Sequence, residues 1–442
     1  MVYTTGVGFD ELFTDAMEYA PHLPPWEQGG EPAKVFPGGG GVYLLTDAED
    51  RLIQLAAAAD LRRALANRLG ESDARDRDVE EPPPGSPLVR GGKEAGGAPT
   101  PQRHRRVDLR EIVRRIRWRP AHSMFEITFE YHRIARALMP DRYLKQVGFG
   151  PSWFVHVDPE AQTPRFQAGK VLRSPPGVDL GPFATQADAG RFIEILEDAF
   201  DLCRYHNILQ QAPAGQACAY FDMGKCPAPC NGSISMDAYR GMIGRALGFA
   251  CGARQGAFAG WEAAMRAAAG ERAYERAAAL RQLLERARRI EHEAYRLVRP
   301  VQAFRYLVVQ RGGGTTRVKP FFVRAGQIEA GAAVRLRELE AATAGWIEAM
   351  SAEPPVGADR ELQSEHIWLV SHFLFKRETP GLFLPADSLG EPAAVAERVR
   401  EHFTGGKKEE LRDLGGETVE GQPLDTQNRE LTPGGGGPTG RV

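Results

Sequence analysis

Short runs of apolar and polar residues near the N-terminus indicate two strands followed by a helix. Residues 42–45 are apolar, residues 47–50 read DAED, and residues 52–55 are again mostly apolar, so these three runs predict a β-hairpin. Asp60 is a good helix N-cap, and the chain from there to Leu69 is rich in Ala, Leu and Arg. The order of strand, turn, strand and helix predicts a small α/β unit.

The middle of the chain combines strand patterns with longer helical ones. The runs SWFVHV at 152–157 and TPRFQAGKVL at 163–172 predict strands, and residues 187–200 predict a long helix. Ser235 is a good N-cap, and apolar residues at helical spacing follow it as far as Leu247. These patterns predict an α+β region.

Two helical segments separated by Gly270 predict a short antiparallel hairpin over residues 253–298. The two helices alone are too small to bury the Ala/Leu face of the hairpin. The hairpin is therefore expected to pack on a partner, either another protein or the remainder of this chain.

The C-terminal part of the chain predicts a second α+β region. Residues 301–331 predict two or three strands around a Gly-rich turn, and residues 358–376 predict a helix. His366 and His372 lie in an apolar helical context, which favours packing or surface roles for both histidines.

The composition sets limits on function. The 442 residues are enough for about three domains. The formal net charge of -2 gives no overall affinity for polyanions, so any nucleic-acid surface must be local. The sequence lacks both a signal peptide and an apolar run of the roughly 20 residues that a membrane helix needs, so we expect a cytoplasmic protein without a membrane partner.

The most basic stretch, residues 104–120, is predicted to be a helix with Leu109, Ile112, Val113 and Ile116 on one face. Its arginines make it a candidate contact for the phosphate backbone of DNA. The candidate DNA-binding residues are Arg105, Arg106, Arg110, Arg114 and Arg117. The alternative is a solvated helix that packs on the α/β unit.

Four of the 5 cysteines lie in one stretch, at Cys203, Cys218, Cys226 and Cys230, with the spacing C-x14-C-x7-C-x3-C. Such a density of thiols indicates a soft metal ion, an iron–sulfur cluster or disulfides. A reducing cytosol makes disulfides the weaker choice. Four buried cysteines without a metal are the remaining alternative, and Cys251 is expected to be a core thiol.

The residues around the last two of these cysteines, MGKCPAPCNGSIS, resemble the cysteine-rich segment of UvrC, a component of the bacterial excision-repair nuclease, whose pattern is close to GRCxAPCxGxIS. The resemblance extends over roughly residues 36–290. It implies that the four cysteines are metal ligands for a 4Fe-4S cluster, and a zinc site with four thiolates is the competing interpretation.

The N-terminal α/β unit resembles the GIY-YIG nuclease domain of UvrC, and Gly41-Val42-Tyr43 matches the first half of its motif. The resemblance implies Tyr43 and Glu130 as catalytic remnants, although an ungapped alignment puts Tyr131 at the glutamate position. Other family residues are replaced by Gln54, Ala56, Ala57, Ala64 and Leu144. We therefore expect a fold without nuclease activity. The alternative is an atypical nuclease in which Arg62 or Arg63 joins the two remnants and a divalent metal ion.

The second helix of the predicted hairpin, YERAAALRQ at 274–282, resembles the UVR motif, whose core is near FExAAxLRDxI. The resemblance implies that the hairpin binds the similar hairpin of UvrB, the damage-loading helicase subunit. The candidate partner-binding residues are Met265, Tyr274, Glu275, Ala278 and Arg281. The alternative is an ordinary core hairpin.

Together these patterns predict an α+β multidomain protein whose later part departs from UvrC, since no RNase H-like or helix-hairpin-helix region is recognisable. The predicted parts are an N-terminal extension (1–35), a degenerate GIY-YIG-like α/β domain (36–147) with a disordered insertion (73–103), a linker and cysteine-rich helical domain (148–252), a UVR-like helical hairpin (253–298), a small α+β region (299–404) and a disordered tail (405–442). The predicted function is a UvrC-like nucleotide-excision-repair protein that does not cut but binds DNA, a UvrB-like partner or both. The alternative is an atypical excinuclease subunit that makes a metal-dependent incision.

Overall fold

The computed structural model describes residues 8–19, 38–69, 109–353 and 359–405. The predicted insertion at 73–103, and the predicted tail beyond residue 405, lie outside this part of the chain. None of the described helices is long and apolar enough to cross a membrane.

The chain divides into two compact units. Among the described residues, the first unit contains the chain as far as Pro120 and the segment Glu130–Gln146. The second unit contains Ala121–Phe129 and the chain from Val147 onward. Several antiparallel sheets and many helices together confirm the predicted α+β character.

The first unit is built on a four-stranded antiparallel sheet. Its elements are α1 (Phe9–Leu12), β1 (Asp15–Glu18), β2 (Gly41–Thr46), β3 (Leu52–Ala58), α2 (Leu61–Leu69) and β4 (Arg115–Pro120). The strand order is β1-β4-β2-β3. Leu61, Leu65 and Leu69 share one face of α2, and they form a buried apolar cluster with Tyr43 and Leu45 of β2.

Local hydrogen bonds explain why the first hairpin and helix form where the sequence predicts them. The Asp47 carboxylate accepts the backbone N–H of Glu49 at 3.1 Å and of Arg51 at 2.8 Å, which fixes the turn between β2 and β3. Asp60 caps α2 by accepting the backbone N–H of Arg63 at 3.0 Å. Both predicted elements are confirmed.

The predicted helix over residues 104–120 is wrong, because the end of this stretch forms β4, a strand between β1 and β2. The sequence RIRWRP alternates arginine with other residues, which is the period of two that a strand requires. Ile116 and Trp118 of the strand are buried. Leu109 and Val113, which fit the helical spacing, are buried in the turn that precedes the strand.

A long helix and a second sheet follow in the chain. The elements are α3 (Met124–Leu138), β5 (Trp153–Val157), β6 (Gln167–Gly169), β7 (Val178–Phe183) and α4 (Gln186–Ala199). The sheet has the order β6-β5-β7, with a short strand from later in the chain on the far edge. The predicted strand at 152–157 and the predicted helix at 187–200 are confirmed.

The cysteine-rich stretch is short on regular structure and ends in a run of three longer helices. The elements are α5 (His206–Leu209), α6 (Ala219–Asp222), α7 (Met236–Ala250), α8 (Arg254–Gly270) and α9 (Tyr274–Ala287). Ser235 caps α7, as predicted, by accepting the backbone N–H of Ala238 at 3.1 Å. Helices α8 and α9 form the predicted hairpin, with the break after Gly270.

The C-terminal region is a sheet covered on both faces. Its elements are β8 (Arg299–Pro300), which pairs with β7, then β9 (Arg305–Arg311), β10 (Arg317–Arg324), β11 (Gln327–Ala330), β12 (Val334–Arg335), α10 (Leu339–Ser351), α11 (Arg360–Leu374), β13 (Leu382–Pro385) and α12 (Pro392–Gly405). The strand order is β11-β10-β9-β13, and β12 pairs with β10. The predicted strands and helix are confirmed.

The sequence of β9 is apolar without alternation because both faces of this strand are buried. Tyr306 and Val308 belong to the apolar cluster that contains Ile367 of α11. Leu307 and Val309 belong to the cluster that contains α10 and α12. As predicted, His366 packs in the interior, and burial lowers the pKa of His372 on the same helix.

Candidate functional site

The four clustered cysteines are held by the loops between α4 and α7. Cys203 follows the end of α4, Cys218 precedes α6, and Cys226 and Cys230 lie in the irregular segment before α7. Cys203, Cys226 and Cys230 are buried, and Cys218 is half-buried. Cys251 ends α7 and is exposed, so the expectation that it is a core thiol is wrong.

Backbone contacts fix two of these cysteines. The buried Tyr239 hydroxyl of α7 accepts the backbone N–H of Cys203 at 3.1 Å. The N–H of Gly215 donates to the carbonyl of Cys230 at 2.8 Å. A Cβ at Gly215 would lie 2.9 Å from the Cβ of Gln211 and 3.0 Å from that carbonyl oxygen, so a side chain here would force these neighbours to shift.

The thiols of Cys203 and Cys226 lie close enough to shift each other's pKa, while the Cys203 thiol donates to the carbonyl of Tyr205 at 3.5 Å. The neighbouring Cys226 thiol raises the pKa of Cys203, with burial as a further cause. The neighbouring Cys203 thiol lowers the pKa of Cys226 to about 6, and the positive charge of Arg204 acts in the same direction. Burial raises the pKa of Cys230, and the negative charge that Cys226 or Cys218 would carry as a thiolate raises it further.

Four thiols are the donor types that a soft metal ion or an iron–sulfur cluster binds. Their arrangement in this structure is not that of a formed metal site. Among the described residues, no group of three or more His, Cys, Asp or Glu side chains is arranged to hold a metal ion. Cys203 and Cys226 face each other, while the Cys230 thiol donates to the carbonyl of Gln216 at 3.8 Å. A complete thiolate set would need the thiols of Cys203 and Cys230 to give up their contacts with backbone carbonyls.

The two predicted catalytic remnants lie in the first unit. Tyr43 is buried on β2, opposite Ala56 on one side and Trp118 on the other. Tyr131 is also buried, and burial raises its pKa to about 12. Glu130 of α3 is buried with its carboxylate engaged by guanidinium groups.

The Glu130 carboxylate contacts two arginines. Its Oε2 accepts from Arg133 Nη2 at 2.8 Å and Nε at 3.0 Å, and it forms an ion pair with Arg119 Nε at 3.1 Å. At the position of the family's second tyrosine, Gln54 accepts from Arg68 at 2.8 Å. Two positive charges therefore lie where a catalytic carboxylate would need a divalent metal ion.

The arginines singled out for DNA binding differ in their surroundings. Arg117 is only 7% exposed and binds Asp50 at 3.0 Å and Thr46 at 3.1 Å. Arg114 is half-buried and donates to the carbonyls of Glu111 and Val113. Arg110 is half-buried, whereas Arg105 and Arg106 lie outside the described residues.

The hairpin carries a surface groove of about 400 Å³. Met265 and Leu284 supply its apolar side chains, and its charged rim includes the ion pair between Glu262 and Arg288 at 2.7 Å. Arg281 also lines the groove.

The remaining candidate partner residues lie along the exposed side of α9. Glu275 and Ala278 are exposed, and Tyr274 at the start of the helix is 69% exposed.

Sequence reasoning missed two features of these sites. The spacing of three residues between Glu130 and Arg133 on a helix is a signal for an ion pair that could have been found. The contribution of Arg119 could not, because this residue reaches Glu130 only through the pairing of β4 into the sheet.

Comparison with known proteins gives a consistent result for the middle of the chain. Residues 153–249, which include all four clustered cysteines, match the family model described as the UvrC/Cho excinuclease, middle domain. A "UvrABC system protein C" of Brucella abortus is 30% identical over 155 residues, which is 35% of this chain and 25% of that protein. No solved structure matches.

Two further relatives with the same description extend the comparison. The protein of Syntrophotalea carbinolica is 28% identical over 175 residues, or 40% of this chain and 26% of the relative. The protein of Trichlorobacter lovleyi is 24% identical over 251 residues, or 57% of this chain and 37% of the relative. The chain thus spans about a quarter to a third of the length of the curated relatives it matches.

Proposed function

We propose that this chain, whose resemblance to UvrC is confirmed and whose residues 153–249 match the middle domain of the UvrC/Cho excinuclease, is an excision-repair protein that binds without cutting. The activity of the relatives belongs to proteins that are much longer than the matched region. The function of this chain is therefore argued from its own residues.

The observation that carries the proposal is the contact of Glu130 with Arg119 and Arg133. A carboxylate holds a divalent cation through its negative charge and its lone pairs. In this chain two guanidinium groups neutralise that charge and occupy one carboxylate oxygen. The chemistry of a GIY-YIG nuclease also needs a cation beside the phosphate, and Ala57 and Ala64 supply no charge at the family positions.

The hairpin α8–α9 is proposed as the surface for a UvrB-like partner. Its groove combines apolar side chains, Met265 and Leu284, with charged ones, and Tyr274 stands in solvent on the same hairpin. A helical hairpin with the complementary pattern would bury these side chains. DNA is the second proposed partner, with Arg110 and Arg114 as the candidate contacts among the described residues.

The four cysteines are proposed to hold a 4Fe-4S cluster, with zinc as the alternative. Cys203 and Cys226 would supply the first two ligands, and Cys230 and Cys218 the others. Bound metal would cross-link the irregular loops between α4 and α7. The protein residues contribute by placing Cys203 through Tyr239 and Cys230 through Gly215.

Capture of the full chain on an immobilised UvrB subunit tests the partner surface. We expect wild type to be retained, and the double variant Tyr274→Ala/Arg281→Ala to bind at least tenfold more weakly. Arg276→Ala is the matched control, because this arginine is exposed on the same helix and outside the groove. Equal retention of wild type and the double variant would reject the hairpin as the binding surface.

A further inference from the structure

A chain of ion pairs runs from the hairpin to the cysteine-rich loops. Arg286, near the end of α9, donates to Oδ2 of Asp198 at 3.4 Å. The other carboxylate oxygen of Asp198, on α4, accepts from the guanidinium of Arg204. One carboxylate is thus shared between the second helix of the hairpin and the residue next to Cys203.

Arg204 also contacts two backbone carbonyls and an aromatic ring. Its Nη1 donates to the carbonyl of Lys225 at 3.3 Å and to the carbonyl of Leu202 at 3.5 Å. Its guanidinium lies 4.5 Å from the centre of the Tyr220 ring. Lys225 precedes Cys226 and Leu202 precedes Cys203, so a single guanidinium joins the two loops that carry the facing thiols.

Arg204 is surrounded by these groups in a site that is largely closed to solvent. Its side chain is only 14% exposed. Interactions of a guanidinium with carboxylate and carbonyl groups are stronger in such surroundings than in water, and losing one of them leaves the charge poorly compensated. Displacing Asp198 would therefore loosen the hold of Arg204 on both loops.

We propose that Asp198 couples the cysteine-rich loops to the helical hairpin, so that loosening either one loosens the other. This inference rests on the proposed function, which assigns a metal site to the thiols and a partner surface to the hairpin, and it adds that the two are coupled. A free energy of coupling is reciprocal: the effect that ordering the loops around Cys203 and Cys226 has on the last turns of α9 equals the effect that ordering those turns has on the loops. A cofactor at the thiols and a partner on the hairpin would accordingly influence each other's affinity.

Apolar packing is the competing route between the two regions. Ala287 of α9 and Leu196 of α4 belong to the same buried cluster as Cys203 and Cys226. A packing route would operate whatever residue occupies position 198. The ion-pair route requires the negative charge of Asp198, and this difference decides between the two routes.

Hydrogen–deuterium exchange of the reduced, metal-free full chain tests the coupling. We expect Arg286→Ala to raise the exchange rate of backbone amides at 202–205 and 224–226 at least threefold. The matched control is Arg276→Ala, an exposed arginine on the same helix, which is expected to leave these rates unchanged. In the reverse direction, Arg204→Ala is expected to raise exchange in the last turns of α9.

The route is isolated by repeating the comparison in the Asp198→Asn background. If the coupling runs through this carboxylate, Arg286→Ala produces no further increase there. An equal increase in both backgrounds, or no increase in the single variant, would overturn the proposal. Should Arg286→Ala fail to fold, Arg286→Gln serves in the same comparison. The measurement uses no DNA, partner or metal, so its failure is distinct from a failure of the proposed function.

Discussion

The hydroxyl of Tyr239 accepts the backbone N–H of Cys203 at 3.1 Å, which joins the first clustered cysteine to the helix that follows the last one. Tyr239 is fully buried among the side chains of α4 and α7. Burial raises the pKa of its hydroxyl, which therefore stays protonated at physiological pH. The geometry of the thiol site thus depends on one tyrosine that lies outside the cysteine spacing.

Replacing this tyrosine with phenylalanine is expected to destabilise the protein. Tyr239→Phe keeps the ring but leaves the Cys203 N–H without its acceptor, which costs about 1–3 kcal/mol for a buried donor. Urea unfolding at neutral pH measures the loss. Tyr205→Phe is the matched control, because that ring is exposed, and its effect should stay within about 0.5 kcal/mol. A stability of Tyr239→Phe equal to that of the control would contradict a structural role for the hydroxyl.

A half-buried carboxyl near the end of α4 predicts a pH dependence of stability. Burial raises the pKa of Glu197 from 4.5 to about 7, so the folded protein holds this proton where the unfolded chain has lost it. The stabilisation is complete below pH 4.5 and disappears as the pH rises through 7. At about 1.4 kcal/mol per unit of pKa, the loss amounts to roughly 3 kcal/mol at most.

Glu197→Gln tests this dependence. The neutral amide should flatten the fall in unfolding free energy between pH 4.5 and 7, and should make the variant more stable than wild type at pH 8. Glu160→Gln, an exposed carboxylate that is not among the charges acting on Glu197, is the control and should retain the wild-type pH profile. Parallel profiles for wild type and Glu197→Gln would show that this carboxyl ionises normally.

The cysteines make a direct prediction about bound metal. Protein purified without oxygen is expected to contain iron, or zinc in the alternative, and Cys226→Ser should lose most of it because this residue supplies one of the two facing thiols. Cys251→Ser is the matched control and should retain the metal, since its thiol lies at the exposed end of α7. Elemental analysis distinguishes iron from zinc. Equal loss of metal in both variants would reject the assignment of ligands.

The arginines around β4 are expected to behave differently on DNA. Arg114→Ala should weaken binding of a duplex and reduce the salt dependence of the affinity by about one counterion, as expected for a lost phosphate contact. Arg117→Ala should instead lower stability by about 1–3 kcal/mol, because Asp50 and Thr46 lose a buried partner. Fluorescence anisotropy over a range of salt concentrations, with urea unfolding alongside, separates the two effects. An unchanged salt dependence in Arg114→Ala would remove this residue from the DNA surface.

Local patterns predicted most elements, and their failures have physical causes. Asp47, Asp60 and Ser235 act within a few residues of themselves, so the sequence reveals the turn and the two helix starts. The helix predicted over residues 104–120 is wrong because the apolar residues there fit a helical spacing, whereas the segment that becomes β4 alternates arginine with other residues. Whether a segment becomes a strand in the middle of a sheet depends on the strands beside it. The spacing of residues within the segment carries no information about those strands.

The candidate sites show the same limit. The cysteine spacing and the flanking residues were sufficient to find the thiol cluster and its resemblance to UvrC. The pairing of Cys203 with Cys226, and the sharing of Asp198 between Arg204 and Arg286, depend on how loops fold back on α4. Such contacts between distant parts of a chain require the tertiary structure.

The most direct test of the central claim is an incision assay on a lesion-bearing duplex, with the damage-loading subunits and Mg²⁺ or Mn²⁺ supplied. We predict that wild type produces no incision above background, because Arg119 and Arg133 occupy the Glu130 carboxylate. Tyr43→Phe should then be indistinguishable from wild type. Incision by wild type that disappears in Tyr43→Phe would contradict the account, and would show that Tyr43 still belongs to a working nuclease.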